Sequence, residues 1–156
     1  MISREQAQQA AREWALASLP AGGGAVSLWE FDLGYVVGHV PPPREPGAPP
    51  TLLGAPRAVV DKETGEVTVW PSIAWEEVAQ RYTADRAARR RFPEEVRAAL
   101  GAAGWLPGRD VTARVEVWLE KFHADFPEAR SALPLFPVAA AALAEFGGLR
   151  PRGHTP

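Results

Sequence analysis

Apolar residues recur along this chain with two different periods, and the changes of period mark its elements. After Ser3, small and apolar residues return at helical spacing as Ala7, Ala10, Ala11, Trp14, Ala15 and Ser18. Ser3 and Gln6 are placed for a capping box, in which each side chain satisfies an orphan backbone donor. Pro20 with Gly22, Gly23 and Gly24 is expected to end that helix. The pattern then tightens to strands over residues 26–31 and 35–40, rich in aromatic and β-branched side chains and joined near Asp32, Leu33 and Gly34. A second pair, over 58–61 and 66–70, flanks Lys62-Glu63-Thr64-Gly65, and its alternation and glycine-closed turn predict a hairpin. Between the pairs, residues 41–56 hold seven prolines in 16 positions, which cannot supply a hydrogen-bond ladder and read as a loop of polyproline character. Pro71 stops the last strand, and Ser72 is a candidate cap for a helix with the stripe Trp75, Val78, Ala79 and Tyr82.

Helical spacing governs the remainder. Pro93 suits a first turn, with Glu94 and Glu95 where the helix dipole favours negative charge. Val96, Ala99, Leu100 and Ala103 fall on one face, Gly104 ends the helix, Trp105 folds back onto it, and Pro107-Gly108 turns the chain. Asp110 then caps a second helix whose stripe, Val111, Val115, Trp118, Leu119, Phe122 and Phe126, is the clearest amphipathic pattern in the chain. A third helix is expected over 136–146, opened by Pro137 and closed by Gly147 and Gly148. The predicted fold class is α+β: helix, four-stranded antiparallel sheet, helix, followed by a three-helix segment.

Composition narrows the classes. At 156 residues, 46% hydrophobic and 23% charged, the chain resembles an ordinary soluble globular protein and has no cysteine for disulfides or thiolate metal sites. Its N-terminus lacks the apolar core of a signal peptide. The longest apolar stretch, 133–144, contains Pro134 and Pro137 and falls short of the roughly 20 residues that span a bilayer. A cytoplasmic protein with no membrane contact is expected. Arg81, Arg86, Arg89, Arg90 and Arg91 form a basic connector, and the expected organisation is a domain over 1–85, a linker over 86–91 and a helical segment over 92–150. Clustered cations can hold phosphate. No aromatic platform is interleaved here, however, and the pI is about 5.9, so a solvated linker or a continued helix is the simpler reading.

Charge is uneven. Residues 1–80 carry 5 basic and 10 acidic groups, whereas 81–156 carry 12 and 9. An acidic half can steer a cationic partner, since complementarity acts mainly on encounter rate and specificity. The acids of the strands and hairpin, Glu30, Asp32, Asp61, Glu63 and Glu66, are the candidate partner-binding residues.

Catalytic chemistry has little to stand on. His39, His123 and His154 have no metal-ligand spacing, and His123 and Asp125, two apart on a helix, do not face one another. Ser72, Ser131 and Thr155 lack a nucleophile-elbow context. The glycines at 22–24 follow a helix and precede a strand, the reverse of the phosphate-binding order. No catalytic residue, cofactor or metal is assigned; paired carboxylates meeting in space are the one enzymatic alternative.

Two resemblances supply a function. The order helix, four strands, helix, with Glu30-Phe31-Asp32-Leu33-Gly34-Tyr35-Val36-Val37 and the segment from Val60 to Val67, looks like the YrhB-like immunity family across residues 2–82. Ala103-Gly104-Trp105, Pro107-Gly108-Arg109, Phe136-Pro137 and Phe146-Gly147-Gly148-Leu149 resemble the opening helices of SUKH-superfamily immunity domains, the antidotes bacteria make against polymorphic toxins. Members of that superfamily continue after Gly-Gly-Leu with a β-sheet, whereas only residues 150–156 remain here. Either the domain is shortened and its helices pack on the N-terminal sheet, or the chain is a fragment of a longer protein. The resemblances imply an immunity protein that binds and neutralises a bacterial toxin by steric blockade, with no direct nucleic-acid contact, and the acids Glu30, Asp32, Asp61, Glu63 and Glu66 would complement a basic toxin that handles nucleic acid. The alternative is a non-catalytic accessory domain of a longer toxin-system polypeptide, attached to a deaminase or nuclease.

Overall fold

The computed structural model describes residues 1–18, 25–41, 43, 54–129 and 135–150. The chain forms two compact units, Met1–Thr83 and Ala84–Pro156. Its elements are α1 (Arg4–Ser18), β1 (Val26–Phe31), β2 (Gly34–His39), β3 (Arg57–Asp61), β4 (Val67–Trp70), α2 (Trp75–Arg91), α3 (Glu94–Ala102), α4 (Thr112–Asp125) and α5 (Pro137–Phe146). The mixed α+β class and the element order are those expected from the pattern.

In the first unit the strands form an antiparallel meander in the order β1-β2-β3-β4. Alternation along each strand assigns the side chains to two faces. Tyr35, Val37, Ala58 and Val60 pack with Ala7 and Ala11 of α1, joined at the margin by Ile2, Trp14, Leu28 and Val67. Val36 and Val59 face the other way and pack with Val78, Ala79 and Tyr82 of α2. The two central strands are therefore covered on both faces, which explains why residues 34–38 of β2 are all buried. Val36, Val37, Val59, Val60 and Val78 are the largest fully buried side chains among the described residues. Each contributes about 1.5–3 kcal/mol by leaving water.

The capping box at the start of α1 forms as expected: Ser3 N–H donates to Gln6 Oε1 at 2.8 Å and Gln6 N–H to Ser3 Oγ at 3.2 Å. Ser72 does not cap α2. The helix begins at Trp75, because Ile73 N–H bonds the Pro71 carbonyl and makes a bend that delays the helical turn. The basic stretch 86–91 is the last part of α2, where Arg89 pairs with Asp85 at 2.8 Å. The expected helix end at 22–24, most of the proline-rich segment 41–56, Ser131, His154 and Thr155 lie outside the described residues.

In the second unit, Gly104 at φ +91 ends α3 in a Schellman arrangement, with Trp105 N–H bonded to the Leu100 carbonyl and Gly104 N–H to the Gly101 carbonyl. That reversal drives Trp105 inward, 4% exposed, edge-on to Phe92. Arg109 donates to the carbonyls of Glu145 and Gly147 at 2.6 and 2.7 Å and closes the end of α5. Arg91 grips both carboxylate oxygens of Glu145 at 2.8 Å and lies over Phe92 and Phe146. Gly147 and Gly148 lie under the Trp118 ring, where an added Cβ would come within 3.2 and 3.1 Å.

Two expected core faces stay largely open. On α3, Val96 and Ala99 are exposed. On α4 only Val115 is buried, while Trp118, Phe122 and Phe126 are 38%, 41% and 50% exposed. Among the described residues, α5 packs against α4, and much of that stripe stays exposed.

Candidate partner-binding surface

The turn end of the first unit gathers the acids singled out in the sequence. Pairing of Gly34 with Asp61 brings the β1–β2 turn beside the β3–β4 turn. Lys62 then binds three pieces together. Its N–H donates to the Leu33 carbonyl at 2.9 Å, its carbonyl accepts from Ile2 N–H at 2.8 Å, and its ammonium donates to the Phe31 carbonyl at 2.7 Å. The same ammonium pairs with Glu30 at 2.9 Å and lies over the Tyr35 ring. Two turns and the entrance of α1 are thereby tied into one preorganised surface.

Asp32, Glu63 and Glu66 are exposed on this surface. Glu30 is also exposed, but it is committed to Lys62 and, at 3.6 Å, to Arg4. The hydrogen bond from Lys62 and the charges of Lys62 and Arg4 hold its carboxyl below the usual range. Asp61 departs from expectation. Its carboxylate is turned inward, 2% exposed, and is not offered to a partner. One oxygen accepts from Glu63 N–H at 2.7 Å and Thr64 N–H at 2.9 Å, and the other accepts from the Tyr82 hydroxyl. The reason is strand alternation, which puts Asp61 on the face covered by α2 while its position before the turn aims it at the turn amides. The sequence reading missed Lys62 and Arg4, which place cations within the acidic surface. The i+2 and i+3 amides after an aspartate were the available signal for the turn role of Asp61.

The remaining candidates do not converge. His39 ends β2 and stacks on Trp14 with ring centroids 5.0 Å apart. Burial holds its imidazole below the usual value. His123 lies half-buried on α4 beside Phe122. Asp110 does not cap α4 as expected: the cap position falls on Val111, which carries no side-chain cap, and Asp110, one residue earlier, accepts instead from both the N–H and the hydroxyl of Thr112, which keeps its carboxyl low. Among the described residues, no group of histidines and carboxylates is arranged to hold a metal ion, and no helix is long and apolar enough to cross a membrane.

Comparison with known proteins bears on both units. No curated protein and no solved structure matches the chain. Residues 92–156 match the family model of the SUKH-3 immunity protein, in line with the resemblance carried by Gly104, Trp105 and Gly147. Residues 5–89 match that of the Immunity protein 35-like domain. This second match spans α1, the sheet and nearly all of α2, more than half the sequence, and the chain belongs to the Immunity protein 35-like family.

Proposed function

We propose that this protein neutralises a bacterial toxin by covering the toxin's working surface, without chemistry of its own. Membership in an immunity-protein family is the observation that carries this reading, and immunity families of this kind are generally non-catalytic. The SUKH-3 match in the same chain supports a second module of the same functional class, and in this reading two immunity-type domains lie over 1–85 and 92–150 with 86–91 between them. The finer likeness of residues 2–82 to YrhB-like proteins belongs to this proposal too. Its place of action is the cytoplasm.

The turn end is the contact surface in this reading. Tight neutralisation needs a surface that is already ordered, because every side chain immobilised on binding costs about 0.5–1.5 kcal/mol. The Lys62 and Asp61 networks supply that order, and Asp32, Glu63, Glu66 and the partly neutralised Glu30 supply negative charge. Their partner is a basic toxin face of the sort that handles nucleic acid. Asp61 contributes through the turn rather than by contact.

The test is co-expression of the chain with the protein encoded beside it, scored by survival and by co-purification. Rescue with a stable complex is the expected result. Survival without any complex, or no rescue, removes the proposal.

A further inference from the structure

At the opposite end of the sheet from the acidic turns lies a cleft of about 170 Å³, lined by Gly38, His39, Gly54, Ala55, Arg57 and Ser72 among others. We infer that this cleft is a binding site for a small oxyanion, a carboxylate or a phosphate group, held by the Arg57 guanidinium.

Three features of the site argue for it. The guanidinium is fixed before any ligand arrives: Arg57 Nε donates to the Ile73 carbonyl, and the group lies over the Trp29 ring, 5.1 Å from its centroid. That plane depends on Gly38 of the neighbouring strand, where a Cβ would come within 2.6 Å of Arg57 Nη1 and 2.7 Å of the Trp29 ring. Any larger residue at 38 would displace the guanidinium or the ring beneath it. Arg57 also forms no ion pair with a described carboxylate, and its four terminal N–H groups have no acceptor among the described residues.

A cation stacked on an aromatic face and partly withdrawn from water binds an anion more strongly than a solvated one does. The planar fork presents parallel N–H donors that match carboxylate and phosphate oxygens. The volume is sufficient, since a water takes about 30 Å³ of liquid volume and a small oxyanion only a few times that. Among the described residues that line the cleft there is no carboxylate to compete for the site. This site is separate from the toxin-binding reading and does not rest on it.

The experiment is a ¹⁵N NMR titration of the full chain with sodium acetate and, separately, inorganic phosphate, against sodium chloride at matched ionic strength. Saturable shifts of the Arg57 Nε–H and the Gly38, Gly54 and Ser72 amides are expected with acetate, phosphate or both, and not with chloride. Saturation by acetate alone assigns the site to carboxylates, and saturation by phosphate alone assigns it to phosphate groups. Arg57→Lys, which keeps the charge and loses the fork, should weaken binding about tenfold, and Arg57→Gln should abolish it. Shifts in the unaltered protein no larger than those from chloride would overturn the proposal, whatever the variants do to folding. So would undiminished binding by a folded Arg57→Gln protein.

Discussion

The two units bury their apolar side chains by different means, and the contrast explains much about each. In Met1–Thr83 a sheet two faces deep receives one helix on each side, so the valines of β2 and β3 are sealed from water. In Ala84–Pro156 helices and turns do the work, and among the described residues the buried positions are few: Ala88, Trp105, Val115 and Ala129. Phe136 and Val138 remain 70% and 83% exposed there. A β-strand has two faces and can be covered twice, whereas a helix stripe is covered only where a neighbour lies against it. The second unit compensates with directional contacts. Arg91 and Arg109 clamp the end of α5, and Gly104 reverses the chain so that Trp105 can fill the centre.

If this contrast is right, substitutions should sort by unit and by burial. The largest effect is expected from Asp61→Ala, which leaves the Tyr82 hydroxyl and two turn amides without their acceptor inside the first unit. A loss of about 3 kcal/mol in urea unfolding is expected. A loss below about 1 kcal/mol would mean that the turn network is replaceable by water. Val59→Ala should cost about 2 kcal/mol through transfer and cavity terms. Phe122→Ala, on the open α4 stripe, should cost under about 1 kcal/mol although it removes more atoms. Equal losses from Val59→Ala and Phe122→Ala would erase the distinction between the units.

Acid supplies a subtler probe. His39 has its folded-state pKa below the ordinary 6.5, so on acidification the unfolded chain takes up the proton first. Its stabilising contribution is fully present above that value and is lost as pH falls toward the folded pKa. Thermal melts from about pH 7.5 down to about pH 5.5 should show falling stability, and His39→Phe, which preserves a ring against Trp14, should flatten that slope. An unchanged slope would assign the acid sensitivity to other groups. The smallest effect on stability, within about 0.5 kcal/mol, is expected for combined Asp32→Lys, Glu63→Lys and Glu66→Lys. In surface-plasmon measurements with the cognate toxin the same changes should slow association and weaken its salt dependence. Unaltered kinetics would move the contact surface elsewhere.

Some local roles were legible from near neighbours, although Ser72 and Asp110 do not cap their helices and the turn role of Asp61 was missed. Ser3 with Gln6, Gly65 closing its turn at φ +75, and Gly104 ending α3 each follow from a few adjacent residues. Period-two alternation placed the four strands within a residue of their observed limits, because a buried face tolerates no slip of register. The α4 stripe was equally legible as a pattern, yet its spacing says only that one face is apolar and not whether anything lies against it. The same holds for the acids. Their position near two turns could be read along the chain, but Asp61 pointing under Tyr82 and Lys62 standing among carboxylates arise from the pairing of β2 with β3. The sequence by itself therefore determined the elements, their order and the family resemblance, since these rest on short-range periodicity and motif. Tertiary structure alone decided which charges face water and which face one another, because contacts between residues distant in sequence depend on how strands and helices pack and not on spacing along one of them.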